Sequence, residues 1–307
     1  GPTMKRTSAA LIPALLLPSM APAQAVFELD EIVFSGGFTA IEEERYGRSA
    51  DLVTSEDIET RGLSNVQDAL RSLPGVSVSA SGGNLVDVRI RGGEANHTLI
   101  LIDGIEAAGG DGSYNLSGLG SANIERIEVL RGPNSVFYGS NASAGVINII
   151  TRRGSIGREG LVTVEIGGGT SASSFVSSRT ERGGVSASLS FSDDYGWDFS
   201  GDGGERDGTK RTTFVLSGDY FVTEDLQLGF TLRRSDEDYE FDGTSGSATT
   251  PAGYVVDDPA QSAVTRDFTG ELFAELSSFE GRVMHRLSYA YTETEERFGG
   301  GAPTVTD

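Results

Sequence analysis

The stretch Ile124–Arg153 reads I-E-R-I-E-V-L-R-G-P-N-S-V-F-Y-G-S-N-A-S-A-G-V-I-N-I-I-T-R-R and decides the fold of the chain. Two apolar runs rich in β-branched residues, Ile124–Leu130 and Gly145–Thr151, predict two strands. Between them, Gly132-Pro133 and Gly139 break the pattern and predict turns. The stretch by itself therefore predicts a compact α/β or α+β domain.

The same residues resemble the end of the plug domain of the TonB-dependent outer-membrane receptors, which reads E-R-I-E-V-L-R-G-P-x-S-x-x-Y-G-x-x-A-x-x-G-V-I-N-I-I-T. Upstream, L-P-G-V at 73–76, I-R-G at 90–92 and L-I-L-I-D-G at 99–104 occur in the order found in such plugs. The resemblance covers residues 28–153. It implies an α+β plug domain at 37–153, followed by an antiparallel transmembrane β-barrel.

Composition excludes several classes of function. The chain has 307 residues, no cysteine and a formal net charge of −21. Without cysteine there is no disulfide framework and no thiolate metal site, and the acidic balance argues against nucleic acid as a partner. The sequence contains no P-loop, G-x-G-x-x-G or H-E-x-x-H motif. Its two histidines, His97 and His285, have no nucleophile context, so we predict a protein that is not an enzyme.

The first residues predict an export signal. Met4 is followed by the basic pair Lys5-Arg6, an apolar run at Ala9–Leu17 and the cleavage pattern Ala23-Gln24-Ala25. The apolar run is far shorter than the ~20 residues of a membrane-spanning helix. We therefore predict a signal peptide at 1–25, with a buried core helix as the alternative.

Residues 26–36 contain a short β-prone segment next to the predicted cleavage site. An extended terminal segment has free backbone N–H and C=O groups, so it can add as a strand to another protein's sheet. In position and composition the segment resembles the TonB box, which implies binding to a TonB-type energy-coupling protein. The alternative is an ordinary first strand of the plug. The residues of this segment are Leu29, Asp30, Glu31, Ile32, Val33, Phe34 and Ser35.

Between 53 and 104 the pattern predicts a helix, a hairpin and a buried strand. Ser55 and Ser64 are candidate caps ahead of a helix whose apolar positions are Val66, Leu70 and Leu73. Pro74-Gly75 ends that helix. Residues 76–80 and 86–90 alternate around the turn residues 81–84, which predicts a hairpin.

Residues 154–307 show strict alternation of apolar and polar residues, beginning with Val162, Val164 and Ile166. This period of two is typical of a transmembrane barrel with lipid outside and water inside; a soluble sandwich is the alternative. Short connections at 182–184, 222–225 and 277–281 alternate with long ones near 193–210 and 236–262, as in outer-membrane barrels. We predict about seven strands, the N-terminal part of a barrel of about 22, facing outer-membrane lipid.

The resemblance implies active import of a small-molecule ligand too large for porins. Within the family, the sequence at residues 90–105 is most similar to that of the cobalamin receptors, so we predict a cobalamin or corrinoid ligand. A ferric siderophore or haem, and a surface receptor that transports nothing, are the alternatives. Predicted ligand contacts are Ser81, Asn84, Asn96, Tyr114 and Asn115. Calcium is a possible cofactor, because clustered Asp and Gly in outer loops supply oxygen ligands, and its predicted ligands are Asp198, Asp202, Asp207 and Asp242.

Overall fold

The structure is a computed structural model. It describes residues 50–81, 85–107, 114, 116, 119–132, 142–198, 200–201, 203–204, 206–244, 247, 249, 255–256, 261–299 and 304–306. The predicted signal peptide and the segment 26–36 lie outside the described residues.

The N-terminal domain is built around a five-stranded sheet. Its elements in chain order are β1 (Ala50–Thr54), α1 (Ser55–Arg61), α2 (Val66–Arg71), β2 (Val76–Ser81), β3 (Leu85–Ile90), a 3-10 turn (Ala95–His97), β4 (Thr98–Ile102), β5 (Ile105–Glu106), β6 (Ile124–Arg131) and β7 (Gly145–Thr151). The strand order in the sheet is β1-β6-β7-β4-β5. Strand β4 runs parallel to β7, and the other neighbours are antiparallel. Strands β2 and β3 form a separate hairpin, as the sequence predicts.

The two apolar runs of the opening stretch form the centre of this sheet. Ile127 lies opposite Ile149 and Val129 opposite Ile147, and all four side chains are buried. Fully burying a side chain of this size contributes roughly 1.5–3 kcal/mol, so this patch is a major source of stability. A Cβ at Gly145 would collide with the carbonyl oxygen of Leu130, and glycine therefore permits the close approach of β6 and β7.

Two short helices cover one side of the sheet, where the sequence predicted one. Thr54 caps α1: its hydroxyl accepts from the Asp57 amide at 3.2 Å, and its own amide donates to Asp57 at 3.1 Å. The Thr54 hydroxyl also donates to the Asp57 carboxylate, at 2.9 Å, and the bonds donated by the Thr54 amide and hydroxyl hold the pKa of Asp57 below its usual value. Asn65 caps α2, which buries Val66 and Leu70. Both caps lie one residue away from the predicted Ser55 and Ser64. No helix in the described part of the chain is long and apolar enough to cross a bilayer.

The C-terminal region is an antiparallel sheet of eight strands. Its long strands are β8 (Gly157–Ile166), β9 (Gly169–Thr180), β10 (Gly183–Trp197), β11 (Asp207–Phe221) and β12 (Leu226–Glu240). A two-stranded ribbon follows, formed by β13 (Gly243–Thr244) and β14 (Val255–Val256), and then β15 (Ser262–Ser278), β16 (Val283–Phe298) and β17 (Thr304–Thr306) complete the sheet. Consecutive strands from β8 to β12 pair as neighbours, β12 pairs with β15, and β15 to β17 continue the sequence. We call this sheet the wall.

The two faces of the wall have opposite chemistry. One face exposes large apolar side chains: Val162, Val164, Ile166, Val176, Val185, Leu189, Phe191, Phe214, Leu228, Leu232, Leu272, Leu276, Leu287, Tyr289 and Tyr291. The other face buries polar ones: Ser173, Ser177, Ser186, Ser188, Thr209, Arg211, Ser217, Asp219, Thr231, Arg233, Ser235, Glu237, Asp267 and Glu271. A soluble sandwich buries its apolar face, so this wall has the pattern of a barrel that faces lipid outside and a wet interior inside.

The connections fall on opposite ends of the wall. Residues 181–182, 222–225 and 279–282 join strands at one end. The longer connections 198–206 and 241–261 lie at the other end, together with the brief turn 167–168. This is the predicted separation of short and long connections.

A charge on the apolar face tests this orientation. Leu189 is half exposed near the middle of the apolar band of β10. We expect Leu189→Arg to destabilise the protein in a bilayer by roughly 2–4 kcal/mol, because arginine is costly at membrane mid-depth. The measurement is reversible denaturant unfolding in lipid vesicles.

The matched control is Asp193→Arg, which lies four residues later on the same face of β10, beyond the apolar band. We expect a cost of about 0–1 kcal/mol there, because the penalty falls toward the interface. Equal costs at the two positions would contradict the lipid-facing assignment.

Candidate functional site

Arg152 joins the N-terminal domain to the wall. Its amide donates to the Asn123 carbonyl at 2.9 Å, and its Nη2 lies 3.4 Å from the Glu59 carboxylate on α1. The same guanidinium lies 5.9 Å from the ring centre of Phe175, which is buried on β9. One residue directly after β7 thus holds both the domain and the inner face of the wall.

A cavity of about 820 Å³ lies between the domain and the inner face of the wall. The N-terminal domain lines it with the start of α2 and with residues 119–124, and the wall lines it with β8 to β12. Most of its lining is small and polar. The small polar and glycine residues include Ser64, Gly120, Ser121, Gly167, Gly168, Gly169, Thr170, Ser171, Ser173, Ser188, Ser190, Ser192 and Thr213.

Two buried arginines supply charge to the cavity from β11 and β12. Arg211 forms an ion pair with Glu237, which lies directly opposite it on the neighbouring strand. Arg233 donates from Nη2 to the Tyr114 hydroxyl at 3.3 Å. Arg211 and Arg233 both line the cavity, and Tyr114 belongs to the N-terminal domain. A hydrogen bond at this corner therefore couples the domain to the wall.

Further ion pairs line the inner face of the wall below this corner. Arg179 makes a two-point contact with Asp219, at 2.6 and 3.1 Å. Arg286 bonds Glu271 at 2.9 Å and Glu275 at 2.5 Å. Such pairs satisfy one another through charge-assisted hydrogen bonds, which explains how charged residues occupy inward positions.

The five predicted ligand contacts are not brought together as one group. Tyr114 reaches the cavity corner through Arg233. Asn96 lies exposed in the 3-10 turn, and Ser81 ends β2. Asn84 and Asn115 lie outside the described residues. Ligand contact at all five positions stays a prediction.

Of the predicted calcium ligands that the structure describes, Asp198 has another role. Asp198 accepts from the Gly201 and Gly203 amides, at 2.6 and 2.8 Å, and so shapes its own loop. Asp207 and Asp242 are buried, and Asp202 lies outside the described residues. Among the described residues, no group of three acidic or histidine side chains is arranged to hold a metal. Calcium binding stays a prediction.

Arg211 and Arg233 are functional candidates that sequence reasoning missed. A signal was present, because both occupy positions where the alternation of β11 and β12 points inward. Burying a basic side chain costs free energy unless it is paired with an acidic group or binds a ligand.

Residues 42–146 match the family model described as TonB-dependent Receptor Plug Domain. The N-terminal domain is a TonB-dependent receptor plug domain. A relative from Vibrio cholerae, "Iron-regulated outer membrane virulence protein", is 40% identical over an alignment of 149 residues, and the match covers 45% of this chain and 22% of the relative. The matched part thus spans less than a quarter of that relative's length.

Two solved receptors share the fold of the plug and wall. The ferric yersiniabactin uptake receptor of Yersinia pestis superposes with a TM-score of 0.65 at 16% identity, covering 82% of this chain and 41% of that one. A mutant of the ferric enterobactin receptor of Pseudomonas aeruginosa, in complex with enterobactin, gives 0.63 at 20% identity, covering 80% and 41%. The predicted fold class, an α+β plug followed by antiparallel barrel strands, is confirmed. The chain is placed in the outer membrane of a Gram-negative bacterium.

Proposed function

We propose that this chain forms the plug and the first wall strands of an energy-coupled importer that carries a ferric siderophore across the outer membrane. The observation that carries the proposal is the plug domain packed against a wall whose apolar face points outward. A plug inside such a wall is a barrier to diffusion, so passage requires that the plug be rearranged. In this proposal residues 29–35 bind a TonB-type partner by β-augmentation and transmit the pull.

The choice of ligand rests on the relatives. The Vibrio cholerae relative is named as iron-regulated, and the two solved receptors are named for ferric enterobactin and ferric yersiniabactin. These names support the siderophore alternative of the sequence analysis, and they give no support to cobalamin. The siderophore and cobalamin hypotheses both include the same plug domain.

The test is uptake of radioactive iron by an iron-starved strain that lacks its own siderophore receptors and expresses the gene encoding this chain. We expect uptake of at least one ferric siderophore from a panel that includes ferric enterobactin and ferric yersiniabactin, and we expect a protonophore to abolish it. Labelled cobalamin is the control ligand. Uptake of cobalamin without any ferric chelate would overturn the siderophore assignment, and energy-independent surface binding alone would favour a receptor that does not transport.

A further inference from the structure

The corner of the cavity formed by β11 and β12 is polarised. Arg211 and Arg233 line the cavity. The carboxylates that offset them are Glu237, paired with Arg211, and Asp267, which interacts electrostatically with Arg211. Neither carboxylate is among the described residues that line the cavity. The two guanidinium groups therefore face the cavity, and the carboxylates lie behind them.

The acidic residues that do line the cavity lie elsewhere. Asp68 belongs to α2 and is paired with Arg71 at 2.9 Å. Glu165 lies near the end of β8 and Asp194 near the end of β10, and Asp198 begins the loop after β10. The mouth therefore carries Glu165, Asp194 and Asp198 beside one arginine, Arg206. At the inner corner, the charged residues that line the cavity are Arg211 and Arg233.

Arg233 is the residue of this corner best placed to receive a ligand. Its exposed fraction is 5%. Within the described part of the chain, the hydrogen bond of its side chain goes to the Tyr114 hydroxyl, at 3.3 Å. A phenol hydroxyl at this distance is a weak acceptor, whereas a carboxylate or other anionic oxygen forms shorter and roughly twice as strong bonds with a guanidinium. Arginine carries five N–H donors, so most of its donor capacity is available to an incoming group.

We propose that Arg211 and Arg233 form an internal anion-binding subsite, which takes the negatively charged oxygen groups of an iron chelate between the plug and the wall. The ligand class rests on the function proposed above, but the anion preference of the corner does not. Because Tyr114 belongs to the plug, an anion bound to Arg233 lies beside a contact between plug and wall.

The subsite is tested through the charge preference of a thiol placed beside it. The chain has no cysteine, so Ser190→Cys introduces a single reactive group on the cavity lining. Ser190 lies on β10, two strands from Arg233 and about 12 Å from it between backbones. The probes are a sulfonate-bearing and a trimethylammonium-bearing methanethiosulfonate, applied to the full-length receptor in detergent at low salt.

We expect Arg233→Gln to lower the ratio of anionic to cationic labelling rates at Ser190→Cys by roughly three- to tenfold, because one nearby positive charge is removed. Arg233→Lys, which keeps the charge, should restore the ratio. An unchanged ratio in Arg233→Gln would overturn the proposal.

Two controls separate charge from loosening of the structure. Ser155→Cys lies in the exposed link before β8, where we expect Arg233→Gln to change the ratio less than about twofold. Tyr114→Phe removes the plug's contact with Arg233 but keeps the cation, so the ratio at Ser190→Cys should stay the same or rise. A fall in Tyr114→Phe equal to that in Arg233→Gln would assign the effect to loosening and overturn the proposal.

A last arm separates this subsite from the import function. Saturating ferric enterobactin, a trianionic catecholate chelate, should protect Ser190→Cys from the anionic reagent if the chelate reaches the subsite. Charge-selective labelling without protection by any chelate of the uptake panel would retain the anion subsite and count against the proposed ligand class. Protection that persists unchanged in Arg233→Gln would show that the chelate binds without the arginine, and would overturn the subsite.

Discussion

Deleting residues 28–35 is expected to reduce energy-dependent uptake to the level of a strain without the gene, while ligand binding at the outer surface stays unchanged. The segment is β-prone, and its backbone N–H and C=O groups provide the pairing that a partner's sheet edge needs. In the proposed function the ligand, in contrast, binds at the outer loops and the apex of the plug. The measurement is uptake of radioactive ferric siderophore beside equilibrium binding to isolated outer membranes.

A single substitution sharpens this expectation. Ile32→Pro removes a backbone N–H and fixes φ, so it should impair a strand-forming contact nearly as severely as the deletion does. Ile32→Thr keeps both the N–H and the β preference, and it should retain most uptake. Loss of ligand binding in the deletion, or equal uptake in the two Ile32 variants, would contradict pairing of this segment with the energy-coupling partner.

The strands of the fold were predictable because their patterns are local. Ile124–Leu130 and Gly145–Thr151 are rich in β-branched apolar residues, which is a strand pattern, and they became β6 and β7. The alternation after residue 157 fixed which face of each wall strand is apolar, since a period of two leaves no other choice. Helix caps were less certain, since Thr54 and Asn65 compete with the neighbouring Ser55 and Ser64 for the same role.

The pairing between distant strands was not predictable from one sequence. Strand β4 pairs with β7 in parallel, across more than forty residues, and no local pattern states which apolar strands will become neighbours. The αL conformation of Asp103, with φ of 53°, also depends on distant groups. Its carboxylate accepts from the Thr151 amide at 2.9 Å and from the Thr151 hydroxyl at 2.7 Å.

The candidate site was predictable only in its chemistry. Tyr114 was expected to meet ligand because plug apices do so in the family, and the structure places it against a wall arginine. Which arginine it meets depends on the register of β11 with β12, where Arg211 falls opposite Glu237 and Arg233 opposite Val215. The cavity itself arises from packing between two separate parts of the chain. The volume of the cavity could therefore not be predicted from any single stretch of sequence.

A buried polar network inside the plug connects its central strands to the turn ahead of Tyr114. Glu128 on β6 is fully buried and lies opposite Asn148 on β7. Asn148 donates to the Glu128 carboxylate at 3.3 Å and accepts from the Gly104 amide at 3.1 Å. Arg126 donates to Glu128 at 2.8 Å. The β4–β5 turn at Gly104 is therefore held in place by a carboxylate two strands away.

Glu128→Ala is expected to destabilise the plug by roughly 2–4 kcal/mol. It removes the acceptor of a buried amide, which costs about 1–3 kcal/mol, and it leaves a cavity between tightly packed strands. Arg126 is partly exposed and turns to solvent, so the loss stays below that of a fully buried ion pair. The measurement is hydrogen exchange of β4, β6 and β7 amides in the full-length receptor, where this change corresponds to exchange roughly thirty- to a thousandfold faster.

Glu125→Ala provides the matched control, because Glu125 contacts the same Arg126, at 3.3 Å, from an exposed position. An exposed ion pair contributes about 0–1 kcal/mol, so exchange in the central strands should rise less than about fivefold. Glu128→Gln keeps an acceptor for Asn148 and should fall between the two. Similar exchange in Glu125→Ala and Glu128→Ala would mean that burial of the carboxylate does not stabilise the plug. Faster exchange in Glu128→Ala alone, with the wall strands unchanged, would show that the buried network stabilises the plug. A change in uptake in the same variant would link that stability to rearrangement of the plug.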